Sequence, residues 1–512
     1  MSGPNRPTHR PARQVPTWVA LAAVLLIIVL ISAAVLAINL VAGQISPGPS
    51  VTPTESFAAA TPIGAVNGCS FCTPSNKTTV VWYVGLGAGS QPDQVQAEEN
   101  FVNNYNATNT DNIILQLEEL NPGGNATDTW RTPFDAGGGP DIIGPVGIQV
   151  RAEFPSYWLG LDDLIARNHT DLSVYPPALL ATFKNAAGQY QGLPYDEYPA
   201  FIFYDKDLFK AAGLPDLPTQ VGEKYMGADW TWDELAAIAM QLTVDSKGRR
   251  STDAGFNPAK IKTYGFDAQW VNDLRRFATP WGAGSYVAAD GKTAQIPAVW
   301  EQAWKWYYNA IWTSHFAPSN SERSAADMGN GTTVATGRVA MDLAWTWEIS
   351  SFGSDDQGKP AARFSHWDMG VLPSNNGVTT DPIDSDGFVL NKNSKNPDAA
   401  YKAMLAIMAD PSLVAVYGAM PVEPSLQSAY LQAAQAAVDT QFASNPVTWS
   451  VLTEMVKYAA SPTHQDPFPN YVKGTDDDQA FYTLLQTKGN LNLDPEIARF
   501  KATLQADFDA PG

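Results

Sequence analysis

Gly188-Gln-Tyr-Gln-Gly-Leu-Pro-Tyr-Asp-Glu-Tyr-Pro-Ala-Phe-Ile-Phe-Tyr-Asp-Lys-Asp-Leu-Phe-Lys-Ala-Ala-Gly-Leu214 is the stretch that decides how this chain folds. Gly188 and Gly192 are expected to frame a tight turn, because a missing Cβ relaxes φ. Leu193 and Pro194 then lead into extended chain. Residues 200–204 are short, apolar and aromatic, and read as a buried strand. Residues 206–212 read as a helix that Gly213 stops. Between turn and strand lies Tyr195-Asp-Glu-Tyr198. Two aromatics and two carboxylates at that place can line a cleft or form a solvated loop.

The segment resembles a signature of the extracellular solute-binding proteins of ABC importers, in the carbohydrate-binding group related to maltose-binding protein. That signature runs G-x-x-Y-G-L-P-Y and then Y-N-K-D-L-F-x-x-A-G-L. Here Tyr204-Asp-Lys-Asp-Leu-Phe-Lys-Ala-Ala-Gly-Leu214 follows it, with Asp205 where the family has Asn. Further elements resemble the same family: Gly138-Gly-Pro-Asp-Ile-Ile143, Leu159-Gly-Leu-Asp-Asp-Leu164, Thr231-Trp-Asp-Glu-Leu235, Tyr264-Gly-Phe266 and Gly337-Arg-Val-Ala-Met341. Trp367-Asp-Met-Gly-Val-Leu-Pro373, Ser385-Asp-Gly-Phe-Val-Leu390 and Asn396-Pro-Asp-Ala-Ala-Tyr401 continue the series, with Asp386 replacing a family glycine. The resemblance covers about residues 80–424.

Elementary patterns agree with it. Residues 79–84, 112–117 and 141–143 read as strands, with a helix over 92–105. Strand, helix and strand in alternation imply parallel βαβ units, whose loops at the carboxyl strand ends form the ligand site. Gly85, Gly87 and Gly89 follow the first strand, but no Gly-Lys-Ser/Thr follows, so a turn is expected and not a phosphate loop. Thr231 and Glu234 have capping-box spacing. Asn396 and Pro397 read as a cap and first helical residue, with Ala400, Met404 and Met408 on one face. Trp300, Trp304 and Ile311 fit the buried stripe of a helix.

The 512-residue chain carries a net charge of −20, which excludes a phosphate-binding basic surface and disfavours nucleic acid. Residues 18–41 are uncharged and mainly apolar, after Arg6, Arg10 and Arg13. A run of that length reads as an uncleaved signal anchor with a cytoplasmic N-terminus; Val41-Ala42-Gly43 is the alternative, a cleavage site. Residues 44–75 have linker composition. The only cysteines, Cys69 and Cys72, read as a local disulfide outside the membrane. A zinc site would need two further paired ligands, and no cofactor or metal is expected. Five Asn-x-Ser/Thr sequons occur, at Asn76, Asn106, Asn125, Asn168 and Asn330.

The expected organisation is a cytoplasmic basic tail (1–17), a transmembrane signal anchor (18–41) and a flexible linker (42–76). A two-lobed α/β periplasmic-binding-protein-like fold follows, with a hinge and an interlobe cleft. Lobe 1 takes 77–198 and 368–415; lobe 2 takes 199–367 and 416–512. Crossings are expected near Pro199, Trp367 and Ala415. The chain holds 16 Trp, 19 Tyr and 21 Phe. Aromatic faces pack on the C–H faces of sugar rings, and carboxylates orient hydroxyls. Tyr83, Glu197, Tyr198, Trp270, Trp281, Trp345, Trp347 and Asp386 are the expected ligand-binding residues. The resemblance implies that an aromatic near Trp345 faces the sugar.

The implied function is capture of a neutral sugar or oligosaccharide and delivery to ABC permease subunits, by a monomer tethered to the membrane. Two alternatives stand beside it: a binding protein for another solute such as a polyamine, and a secreted glycoside hydrolase. Asp196 and Glu197 are neighbours in extended chain and point to opposite sides, so they make a poor acid–base pair. Asp384 and Asp386 share a side, but no nucleophile elbow or zinc motif accompanies them. The five histidines are isolated in sequence.

Overall fold

A computed structural model describes residues 77–119, 126–185, 187–268, 271, 273–325, 327–328, 332–352, 366–442 and 445–510. They belong to one compact unit, Ser75–Gly512. The apolar run 18–41, the linker with Cys69 and Cys72, Trp270, and the sequons at Asn76, Asn125 and Asn330 lie outside the described residues. Among the described residues no helix is long and apolar enough to cross a membrane.

The first sheet begins with β1 (Thr78–Val84), α1 (Pro92–Thr108), β2 (Ile113–Glu119) and β3 (Ile142–Val146). β1 runs parallel to both β2 and β3, as βαβ units require. Its side chains alternate between two apolar layers. Trp82 and Val84 join the main core, while Tyr83 packs in a separate cluster with Phe134, Phe154 and Trp158. The Trp82 indole is fully buried and donates to the Gly144 carbonyl at 2.7 Å.

After α2 (Ile148–Glu153), β4 (Gly192–Pro194) closes the far edge of this sheet. Gly192 is therefore strand and not turn; a Cβ there would lie 2.6 Å from the Phe388 carbonyl oxygen. Gly188 does take a turn conformation, with φ of 81°.

β5 (Asp196–Glu197) and β6 (Ala200–Asp205) follow, then α3 (Lys206–Ala212) and α4 (Trp232–Leu242). All six β6 residues are buried, because β6 is the middle strand of the second sheet and both its faces are covered. Asp205 caps α3, accepting from the backbone N–H of Asp207 at 2.8 Å and Leu208 at 3.0 Å. This is a task that Asn performs equally well, which accounts for the exchange at this position. Thr231 caps α4 through the Glu234 N–H at 3.2 Å.

α5 (Leu274–Ala278) and α6 (Ala298–Trp312) build the second lobe's helical layer. Trp300 and Trp304 are buried, their indoles donating to the carbonyls of Gly282 and Leu274. β7 (Met341–Trp345) and β8 (Trp367–Gly370) flank β6 antiparallel. β8 thus belongs to the second sheet, and the chain returns to the first after Gly370, not at Trp367. β9 (Gly387–Leu390) lies antiparallel between β3 and β4.

α7 (Pro397–Met408) packs on the first sheet. Asn396 makes no side-chain cap there; Pro397 opens the helix without one. α8 (Pro411–Val416), β10 (Met420–Pro421) and α9 (Pro424–Gln441) come next, and β10 pairs with β5. Asn445 then donates to the Trp367 carbonyl at 2.9 Å, back at the second sheet. Two long helices, α10 (Tyr471–Thr487) and α11 (Leu493–Asp509), end the described chain.

Candidate functional site

Where the two sheets meet, three short segments run side by side. β5 pairs with β10, Tyr198 bridges Asp384, and the Asp386 carbonyl accepts the Tyr195 N–H at 3.0 Å. Asp196 is fully buried in this ladder and accepts the Asp386 N–H at 3.0 Å. Beside it opens a cavity of about 500 Å³.

One wall comes from the first sheet. The turn after β1 contributes Leu86, Gly87 and Ala88, and the start of α1 contributes Gln91 and Gln94. Gln94 Oε1 holds the turn by accepting the backbone N–H of Gly89 at 2.8 Å and Ser90 at 3.2 Å. The turn lies directly on Asp386. A Cβ on Gly87 would meet Asp386 Oδ2 at 2.5 Å and the Pro145 carbonyl at 3.0 Å. An added methyl would have to displace the Asp386 carboxylate. Deeper in this wall, Glu98 of α1 is fully buried and accepts the Tyr417 hydroxyl at 2.8 Å. Burial pushes its carboxyl up to about 8, against the opposing pull of that hydrogen bond.

The other wall is made of side chains. Asp273 caps α5 and binds Arg275 through two hydrogen bonds, Nε at 3.2 Å and Nη2 at 2.8 Å. Arg276 pairs with Asp384 at 3.2 Å. Asp384 also accepts from His464 Nε2 and Gln465 Nε2, each at 2.9 Å. Burial works against ionisation of Asp384, yet Arg276 and His464 hold its carboxyl below the usual carboxylate value. Burial likewise opposes ionisation of Asp273, but Arg275 carries it down to about 2. For Asp386 burial wins, aided by the Asp384 charge, and its carboxyl is pushed up to about 7. Each arginine of the cavity is thus matched by an aspartate, and the wall presents fixed donors and acceptors with little net charge.

An aromatic plate completes this side. Trp347 is partly buried and borders the cavity, with Tyr198 set edge-on at 5.2 Å and 62°. Trp345 lies behind Trp347, its ring stacked at 5.1 Å and 3°. It is fully buried, and its indole donates to the Pro382 carbonyl at 3.0 Å. The Arg276 guanidinium sits 5.4 Å from the Trp345 ring and 5.9 Å from that of Trp347.

Of the expected site residues, Tyr198, Trp347 and Asp386 come together at the cavity. Trp345 supports the plate from behind. Glu197 is buried in the β5–β10 pairing, away from the cavity, and burial pushes its carboxyl up to about 7. Trp281 stacks on Trp232 at 3.7 Å and 16° inside the second lobe. Tyr83 borders a separate hollow of about 340 Å³ beside Phe134 and Glu118. Trp270 lies outside the described residues.

Sequence reasoning passed over Asp273, Arg275, Arg276, His464 and Gln465 as site residues. One signal was present: Asp273-x-Arg275-Arg276 sets three charges within an otherwise apolar stretch. His464 and Gln465 also border the cavity but carry no local signal in the sequence.

Residues 101–450 match the family described as bacterial extracellular solute-binding protein, and the chain belongs to that family, one of binding proteins and not enzymes. No curated protein matches the chain. Its fold is similar to that of an ABC substrate-binding protein from Listeria monocytogenes solved in complex with cycloalternan: TM-score 0.61, 19% identity, 85% of this chain and 98% of that one covered. It is also similar to the sugar-binding protein MalE from Xanthomonas citri, with TM-score 0.61, 18% identity, and 85% and 100% covered. A Thermus thermophilus maltotriose binding protein bound with maltotriose matches at TM-score 0.54 and 16% identity, with 84% and 99% covered.

Proposed function

We propose that this bacterial extracellular solute-binding protein holds a neutral sugar or oligosaccharide in the cavity between its lobes and delivers it to the permease of an ABC transporter. One observation carries the reading. The Trp347–Tyr198 plate faces a cavity whose charges are already matched within the protein. An apolar face beside fixed donors and acceptors suits a ring with C–H faces and hydroxyl edges. The ligands named for the Listeria and Thermus proteins, cycloalternan and maltotriose, support the same class.

In this reading Tyr198, Trp347 and Asp386 contact the ligand, with Arg275, Arg276, His464 and Gln465 as further partners. Lobe 1 comprises the β1-to-β4 region with β9, α7 and α8; lobe 2 comprises β6 to β8 and the C-terminal helices. Residues 18–41 tether a monomer outside the membrane.

The test is a thermal-shift screen of the full chain in detergent against a sugar library. A ligand at a hundredfold excess over Kd adds ~2.7 kcal/mol of apparent stability. A sugar that stabilises the protein, and is recovered intact after long incubation, supports the reading. Stabilisation by polyamines alone, or release of new reducing ends, overturns it.

A further inference from the structure

Asp384 is where the side-chain wall converges. Its carboxylate accepts from three residues on two segments: Arg276 Nη2 at 3.2 Å, His464 Nε2 at 2.9 Å and Gln465 Nε2 at 2.9 Å. Its backbone is fixed as well. The Tyr198 N–H donates to the Asp384 carbonyl at 2.8 Å, and the Asp384 N–H donates to the Tyr198 carbonyl at 3.2 Å. All four of these neighbours border the cavity. The Asp384 side chain itself is only 7% exposed.

An ionised carboxylate can only accept, and that settles the polarity of each group around it. Gln465 must turn its NH2 toward Asp384, which leaves Oε1 as an acceptor for other partners. In the neutral ring, His464 must carry its proton on Nε2, which leaves Nδ1 as an acceptor. Arg276 spends one nitrogen on the pair and keeps the rest of its donors. Among the described residues, His464 Nδ1 and Arg276 Nε have no hydrogen-bond partner within the protein. The wall thus holds one acceptor and one donor, both buried, that the protein leaves unpaired.

We propose that Asp384 is the positioning residue of the ligand site, fixing Arg276, His464 and Gln465 in the orientation and hydrogen-bond polarity from which they meet the ligand. The proposal rests on the sugar-binding reading of the cavity given above. Asp384 acts through its neighbours and does not itself need to touch the sugar.

The experiment compares the full chain with Asp384→Asn in detergent, using calorimetry with whichever sugar stabilises the wild type, and 15N-histidine NMR without ligand. Asparagine keeps the shape but loses the charge and the acceptor-only character. Affinity should fall about 10- to 100-fold, as when a buried group that orients contact residues is lost. In Asp384→Ala, which removes the accepting oxygen, the His464 ring should leave its Nε2–H form. Asp384→Asn combined with Arg276→Gln should be no weaker than about threefold below the worse single variant, because the two act as one unit. Affinity within threefold of wild type in Asp384→Asn, an unchanged His464 spectrum in Asp384→Ala, or loss in the double variant equal to the product of the single losses overturns the proposal. Should Asp384→Asn fail to fold, His464→Gln and Gln465→Ala serve instead; unchanged affinity in both overturns it. If the wild type binds no sugar, the reading of the cavity fails, while the His464 spectra still decide whether Asp384 sets the ring's proton.

Discussion

The two walls of the cavity are built on different principles. The first-sheet wall is mostly backbone: a glycine-containing turn laid on Asp386 and held by Gln94. The second wall is mostly side chain: two arginine–aspartate pairs and a stacked tryptophan plate. A backbone wall has little to lose by truncation and much to lose by an added atom. A side-chain wall behaves in the opposite way. Alanine scanning alone would therefore overstate the second wall's share of binding.

The largest effect expected is at Trp345. Fully buried behind the plate, it is a core residue, and Trp345→Ala should cost about 3–5 kcal/mol of folding stability in chemical denaturation. A variant as stable as wild type that has lost only ligand affinity would return Trp345 to the ligand face.

The next is beneath the backbone wall. Unfolded, Glu98 ionises above about 4.5; folded, it keeps its proton to about 8. Its contribution to stability is thus complete below pH 4.5 and is lost as pH rises toward 8. Glu98→Gln retains an acceptor for Tyr417 and cannot ionise. It should be on the order of 2–4 kcal/mol more stable than wild type at pH 8, with no gain at pH 4. Equal pH slopes in the two proteins would show that Glu98 is hydrated.

Two smaller effects separate the walls themselves. Trp347→Ala should weaken sugar binding by about 2 kcal/mol, the scale of a central aromatic contact, with the fold retained. Gly87→Ala should weaken it by about 1 kcal/mol, because the new methyl must displace Asp386. If Gly87→Ala binds like wild type while a larger residue there also does, the turn is not part of the site.

How much of this was legible in the sequence differs between the same two walls. β1, α1 and the turn between them follow from local periodicity and from the rule that ligand loops follow carboxyl strand ends. β6 was equally plain, because a strand covered on both faces is a continuous apolar run. Both tryptophans of the plate were expected to face the ligand. Trp345 and Trp347 are both aromatic, and nothing local says that one covers the other. Arg276 and His464 were missed, and Asp384 was weighed only as a partner of Asp386, because the three meet across segments far apart in the chain. Spacing carries no trace of such a meeting. The charge pairing of Arg276 with Asp384 exists only after both lobes have formed.

The ladder of β5, Tyr198–Asp384 and β10 has a mechanical consequence. Antiparallel segments stitched edge to edge resist twisting and sliding but still allow bending across their common line. A joint of that kind leaves two rigid bodies a single free coordinate. Because Asp384 lies in the joint itself and not out on either arm, the groups it holds stay near the pivot, where a given rotation displaces atoms least.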